Sequence, residues 1–261
     1  MSTKRKSQRG IQSVEVAAGL LRALIAAGRA APLKDIAGLA RLHPGKAHRY
    51  LVSLTRTGLV EQDAVTGHYG IGPLSIALGL AGLRTIDVVR CAQSRLPALR
   101  DAIDETVLLA LWSRQGPVVF DLEESARPVT MNVRVGSILP LLTTATGRVF
   151  AAFLPAAQTR ALIAAERAAA RGPATALYKQ QAVETLLDRT RKIGLAHVSG
   201  DLVPGVNALA APVFDHKGRI GAVIGALGRS EELGVAFDGA VARALKRAAD
   251  AISRRLGFRT L

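Results

Sequence analysis

The sequence predicts an α+β chain of two domains: a helical front domain with a small β wing, and a larger domain of helices around an antiparallel sheet. Three observations carry this. Residues 32–60 repeat apolar side chains at helical spacing on both sides of a short turn, and two extended runs follow about a Thr-Gly turn. From Thr106 onward the pattern changes to short extended runs broken by turn signals, most clearly Asp215–Gly218. At 261 residues the chain is long enough for each domain to bury its own core.

The stretch 32–60 reads as a helix-turn-helix. Leu33, Ile36, Ala37 and Ala40 share one helical face. Arg41 and Leu42 leave a turn, and Pro44 suits the first position of the next helix, where its missing N–H costs little. Ala47, Tyr50, Leu51 and Leu54 form the apolar face of that second helix, which Gly58 ends. The opposite face is Gly45, Lys46, His48, Arg49 and Ser53, with Arg56 further along. A plain helical hairpin shares this spacing. The Ala-rich contact face with a cationic outer face points instead to duplex DNA, because close-crossing helices leave the outer side chains free for bases and phosphates. Leu59–Val60 and His68–Ile71 are extended candidates around Asp63–Gly67, a wing on which His68 is the best-placed polar contact.

The formal charge of +15 implies an anionic partner. Residues 1–80 hold eleven Lys/Arg against four Asp/Glu, so the charge is denser at the front. The later residues are also net basic, which leaves room for attraction of an acidic ligand. Residues 1–10 carry Lys4, Arg5, Lys6 and Arg9 and read as a disordered basic arm. There is neither an apolar signal-peptide core nor a membrane-length apolar run, so a cytoplasmic protein without a membrane partner is expected. One cysteine, Cys91, excludes an intrachain disulfide and a cysteine-rich metal cluster; it reads as a small core residue.

In chain order, Ile11–Ala27 is a helix with a broad apolar face (Ile11, Val14, Ala17, Ala18, Leu21, Leu24, Ile25), and the front domain spans 11–72. A connecting helix occupies 73–88, too apolar for a free linker, and the second domain runs over 89–261. Val88–Ala110 reads as a helix that Pro97 kinks or begins, overlapping an extended candidate at Val107–Trp112. Pro117–Leu122 and Val129–Val133 are further strands. Helices are expected at Thr144–Phe153 and Ala156–Ala170, with another ending over Thr185–Ile193. Strands follow at Leu195–Ser199, Asn207–Phe214 and Ile220–Leu227, then a last amphipathic helix at Val235–Leu256.

The sequence lacks HExxH, GxSxG and GxxxxGK[ST], and its histidines (43, 48, 68, 197 and 216) lack metal-ligand spacing. His197 and Asp201 are four apart, but Gly200 and the flanking strand signals argue against one helical face. No enzyme activity and no cofactor are expected. The alternative reading is a small-molecule-processing cytoplasmic enzyme with a basic accessory domain.

With IQSVEVAAGLLRAL, LKDIAGLARLHPGKAHRYLVSLTRTGLV and YGIG at the front, and VGSILPLLTTATGRVFAAFLP and GLAHVSGDLVPGVNALAAPVFDHKGRIGAVIGALG behind, the chain resembles the IclR family of bacterial transcriptional regulators. The resemblance implies a winged helix-turn-helix and a GAF-like effector-binding domain. It implies a homodimer, or a dimer of dimers (a homotetramer), on palindromic double-stranded DNA, modulated by a small organic or aromatic acid. Its DNA-reading positions fall on Gly45, Lys46, His48 and Arg49. Its effector pocket falls on Leu142, Ala145, Thr146 and Gly147, on Val203, Asn207 and Ala208, and on Gly225 and Leu227, with Arg134 or Arg148 to pair with the acid. Positions where acid-binding members carry hydroxyl or cysteine side chains are smaller or apolar here, which favours a larger or partly apolar ligand.

Overall fold

The computed structural model describes residues 10–85, 87–126, 133–169 and 179–258. The basic arm up to residue 9, and residues 129–132 of the expected Val129–Val133 strand, lie outside the described residues. The chain divides into two compact units after Thr85.

The first unit runs α1 (Gln12–Ala27), α2 (Leu33–Leu39), α3 (Pro44–Arg56), β1 (Val60–Gln62), β2 (Tyr69–Ile71) and α4 (Pro73–Thr85). Leu20 and Leu24 of α1, Ile36 and Ala37 of α2, Ala47, Leu51 and Leu54 of α3, and Val60 and Tyr69 of the wing form one core. The expected stripe on α1 is only partly used: Ile11, Val14 and Ile25 face solvent while Leu20 and Ala23 turn inward. The turn between α2 and α3 closes by the Arg41 N–H on the Gly38 carbonyl at 3.0 Å and the Leu42 N–H on the Ala37 carbonyl at 2.9 Å. That is a Schellman cap, and it places Arg41 at φ 54°, a conformation usually left to glycine. The His43 side chain caps α3 by accepting the Gly45 N–H, with Pro44 following it. The end of α3 repeats the motif with Gly58 at φ 75°. In the antiparallel wing Val60 pairs with Ile71 and Gln62 with Tyr69. Asp63 shapes its tip by accepting the Val65 and Thr66 N–H groups, and these bonds hold its carboxyl below the usual carboxylate range.

The second unit holds a five-stranded antiparallel sheet in the order β4-β3-β7-β6-β5: β3 (Thr106–Ser113), β4 (Gly116–Glu123), β5 (Ala196–Ser199), β6 (Val206–Phe214) and β7 (Ile220–Arg229). One face packs on α5 (Val88–Gln93), α6 (Leu96–Ile103) and α10 (Ala240–Arg255) through Leu96, Leu99, Val107, Leu109, Leu209, Ile224, Leu245 and Ile252. The other face packs on α7 (Ala145–Phe153) through Leu108, Ala110, Val149, Phe150, Ala210 and Val223. On its far side α7 meets α9 (Gln180–Ile193), where Ala151 and Ala152 pack with Val183 and Leu187. α8 (Ala156–Ala169) completes the layer.

The structure corrects two helices. Val88–Ala110 is not one helix: α5 ends at Gln93, Pro97 sits in the first turn of α6, and Asp104 at φ 54° stops α6 before β3. Proline cannot donate to the residue four back and its ring clashes with that carbonyl, so the helix must restart at it. β3 is covered on both faces, so its run TVLLALW lacks the alternation that marks a strand. The last helix begins at Ala240, not Val235, because Leu233, Val235 and Phe237 pack into the core from a loop. Cys91 packs partly buried against the same core as a free thiol.

Candidate functional site

Two regions hold the residues that carry chemistry. The first is the outer face of α3. Burial of Ala47, Leu51 and Leu54 fixes the helix's rotation, so Gly45, Lys46, His48, Arg49, Ser53 and Arg56 all stand exposed. None of the four cationic or titratable side chains among them forms an ion pair with a described residue. The Ser53 hydroxyl donates back to the Arg49 carbonyl at 3.2 Å. His48 Nδ1 and the Tyr69 hydroxyl lie 3.4 Å apart, a contact that ties α3 to the wing. His68 is half-buried in the loop immediately before β2.

The second region is a cavity of about 50 Å³ in the second unit. Thr143, Thr144, Ala145 and Thr146 wall it at the start of α7; Leu108, Val198, Val206, Ala208 and Leu227 contribute from the sheet; Leu202 and Val203 come from the turn after β5; Val133 and Leu139 close another side. The Thr144 hydroxyl caps α7, accepting the Gly147 N–H at 2.9 Å and donating to the Pro140 carbonyl at 2.6 Å. The threonine hydroxyls are the polar side-chain groups among the described lining residues. A wider groove of about 330 Å³ lies between α8 and α9 and holds none of the expected positions.

Of the expected pocket residues, Ala145, Thr146, Val203, Ala208 and Leu227 line this cavity; Leu142, Gly147, Asn207 and Gly225 do not. Successive residues of a strand point to opposite faces, so Asn207 cannot share the cavity with Ala208. Asn207 is buried on the α10 side, where its Nδ2 donates to the Leu233 carbonyl at 2.8 Å. Gly225 lies beneath Thr146: a Cβ there would stand 3.3 Å from Thr146 Oγ1. Gly147 lets α7 approach the Pro140–Leu141 backbone. Leu142 faces α9, its N–H bound at 3.0 Å by Glu166, which also accepts the Leu141 N–H. Burial pushes the Glu166 carboxyl up, although both amides pull the other way.

The two candidate acid partners also move. Arg134 is exposed in a turn and absent from the described lining. Arg148 is buried, and its guanidinium is engaged by Asp201 and by the carbonyls of Leu142 and His197. Sequence reasoning missed Leu108, Val133, Leu139, Thr143, Thr144, Val198, Leu202 and Val206; alternation along β5 and β6 signals Val198, Val206 and Ala208 together. Among the described residues no cluster of three or more His, Cys, Asp or Glu could hold a metal, and no helix is long and apolar enough to cross a membrane.

Next to Arg148, His197 stacks on Phe237 with ring centroids 4.5 Å apart, and Arg189 sits over the same ring at 5.0 Å. Burial holds the imidazole below its ordinary value of 6.5, and the Arg148 and Arg189 charges push it the same way. A folded-state pKa below the unfolded one means the folded chain binds this proton less readily. The stability His197 contributes is present above 6.5 and is lost as pH falls through the folded value. The thermal midpoint should therefore drop as pH falls below 6.5, and His197→Gln should shrink that drop, as read by differential scanning fluorimetry.

Residues 13–64 match the model of the IclR helix-turn-helix domain, and residues 80–254 match that of the bacterial transcriptional regulator IclR C-terminal domain. The chain belongs to the IclR family of bacterial transcriptional regulators. It is similar to the glycerol operon regulatory protein of Streptomyces griseus, 34% identical over 95% of this chain and 98% of that protein. It is similar to the HTH-type transcriptional regulator XynR of Escherichia coli K12, 30% identical over 95% and 98% of the two chains. Among solved structures, Pseudomonas aeruginosa HmgR superposes with a TM-score of 0.86 at 39% identity, covering 95% of this chain and 99% of that one. An IclR-type regulator is a ligand-responsive DNA-binding protein and not an enzyme. Its two parts are the winged helix-turn-helix and the α/β effector domain with its antiparallel sheet.

Proposed function

We propose that this IclR-family chain binds a palindromic operator as a homodimer or dimer of dimers, and that a small organic or aromatic acid held in a GAF-like second domain modulates it. The observation that carries the proposal is the outward face of α3, where Lys46, His48, Arg49, Ser53 and Arg56 stand exposed above a buried Ala47–Leu51–Leu54 stripe. Inserted in the major groove, Arg49 and Lys46 reach base edges and phosphates, and the wing with His68 lies along the backbone. The names of the relatives, an operon regulatory protein and transcriptional regulators, support an operator among metabolic genes. The cavity, apolar apart from threonine hydroxyls, suits a ligand with an apolar body. Its acid group is held by Thr146 and the first N–H groups of α7.

Arg49→Ala is expected to weaken binding to DNA from upstream of the gene by about 1–3 kcal/mol, with an unchanged melting temperature. Fluorescence anisotropy checks this; equal affinity for both proteins removes Arg49 from the interface.

The dimer reading rests on α4. Its sequence PLSIALGLAGLRT is apolar around the helix, and Leu74, Ile76, Leu78 and Leu80 are between 42% and 59% exposed in the single chain. A helix of this kind needs a cover. A second copy supplies one, and through α4 the ligand biases the spacing of the two α3 helices against the half-sites. Ile76→Lys with Leu80→Lys is expected to shift the chain to monomer in sedimentation velocity.

A further inference from the structure

One buried arginine joins three walls of the cavity. Arg148 follows the cavity-lining Thr144–Thr146 on α7, and its side chain is 5% exposed. Its Nε donates to the Leu142 carbonyl at 2.8 Å, its Nη1 to the His197 carbonyl at 2.5 Å and its Nη2 to the Asp201 carboxylate. The acceptors belong to the segment entering α7, to β5, and to the turn after β5. Beside them, Val198 of β5 and Leu202 and Val203 of the turn line the cavity.

That turn is a wall made of loop, with few ties to the rest of the domain. Gly200 and Gly205 bracket it at φ 72° and 79°. Its backbone bonds mostly close it on itself, from Gly200 to Val206 and from Val206 to Val203, with one tie from the Ser230 N–H to the Gly205 carbonyl. Leu202 stands 42% exposed while also lining the cavity, so the turn separates cavity from water. The walls from the sheet and α7 are packed on both sides, and the loop that carries Val133 and Leu139 closes the remaining side. Asp201 is the turn's side-chain tie to α7.

We infer that Arg148 and Asp201 are positioning residues for ligand capture: their ion pair is a latch that holds the 200–205 turn over the cavity, so it sets how long a ligand stays without touching it. The inference rests on reading the cavity as the effector site. A charge-assisted bond of this kind, once lost, lets the turn open about tenfold more often or better.

The test uses the full-length chain with Asp201→Asn, which keeps the shape and removes the charge, and Arg148→Lys, which keeps the charge but lacks the fork for three acceptors. Hydrogen–deuterium exchange should run about tenfold faster in residues 199–206 of both variants, with β7 and α10 unchanged. Benzoate, as a simple aromatic acid probe, should leave the Asp201→Asn protein about tenfold faster in stopped-flow measurements. Wild-type exchange rates in 199–206 of Asp201→Asn overturn the latch. So does faster exchange across the whole domain in both variants, which is the mark of a purely structural pair. A wild-type protein that ignores benzoate, combined with a loosened turn in the variants, supports the latch and counts against the aromatic-acid reading instead.

Discussion

Gly147→Ala should destabilise the second domain by about 3 kcal/mol, a loss of roughly 6–12 °C in a calorimetric melt. A Cβ at this position would stand 2.0 Å from the Pro140 carbonyl oxygen, 2.5 Å from Leu141 Cα and 2.8 Å from the Leu141 oxygen. All three are backbone atoms, so no side-chain rotation relieves the clash. The segment cannot retreat, because Glu166 holds the Leu141 and Leu142 amides. Nor can α7, whose residues Ala145–Ala152 are buried between the sheet and α9. The roughly 1 kcal/mol that alanine gains over glycine in a helix is outweighed. Gly19→Ala in α1 is the control: no atom lies within 4 Å of its would-be Cβ, so only the propensity gain remains.

The second large effect is expected from Arg148→Met, about 3–5 kcal/mol in a denaturant titration. Methionine keeps most of the packing volume but strands the Asp201 carboxylate, whose side chain is 19% exposed, and removes a donor from two carbonyls. An uncompensated, partly buried charge is the expensive part. Replacing Asp201 by Leu in the same chain should therefore recover a portion of the loss, a coupling that a double-mutant cycle reads directly. Additive losses would show that Arg148 acts through the carbonyls alone.

How much could be read beforehand depended on whether the physics was local. The helix-turn-helix was legible because proline, glycine and apolar spacing mark it within a few residues. Leu51 and Leu54 go in, so Lys46 and Arg49 go out. β3 was ambiguous because a central strand covered on both faces is apolar throughout, like a buried helix. The cavity was half legible. Ala145, Thr146, Val203, Ala208 and Leu227 line it, while Asn207 points to the other face of the sheet, as the two-residue period of β6 requires. The role of Arg148 was out of reach: its partner Asp201 lies 53 residues away, and only the docking of α7 on β5 brings them together.

The exposed face of α3 as a reader of duplex DNA is tested most directly by competition. The full-length chain is bound to a labelled duplex from upstream of its own gene, then challenged with unlabelled duplex of the same or of shuffled sequence, at several salt concentrations. The account predicts that the matching duplex displaces the label at far lower concentration than the shuffled one, and that this preference persists as salt weakens both. Equal displacement by the two duplexes would contradict it, leaving the +15 charge as a non-specific attraction.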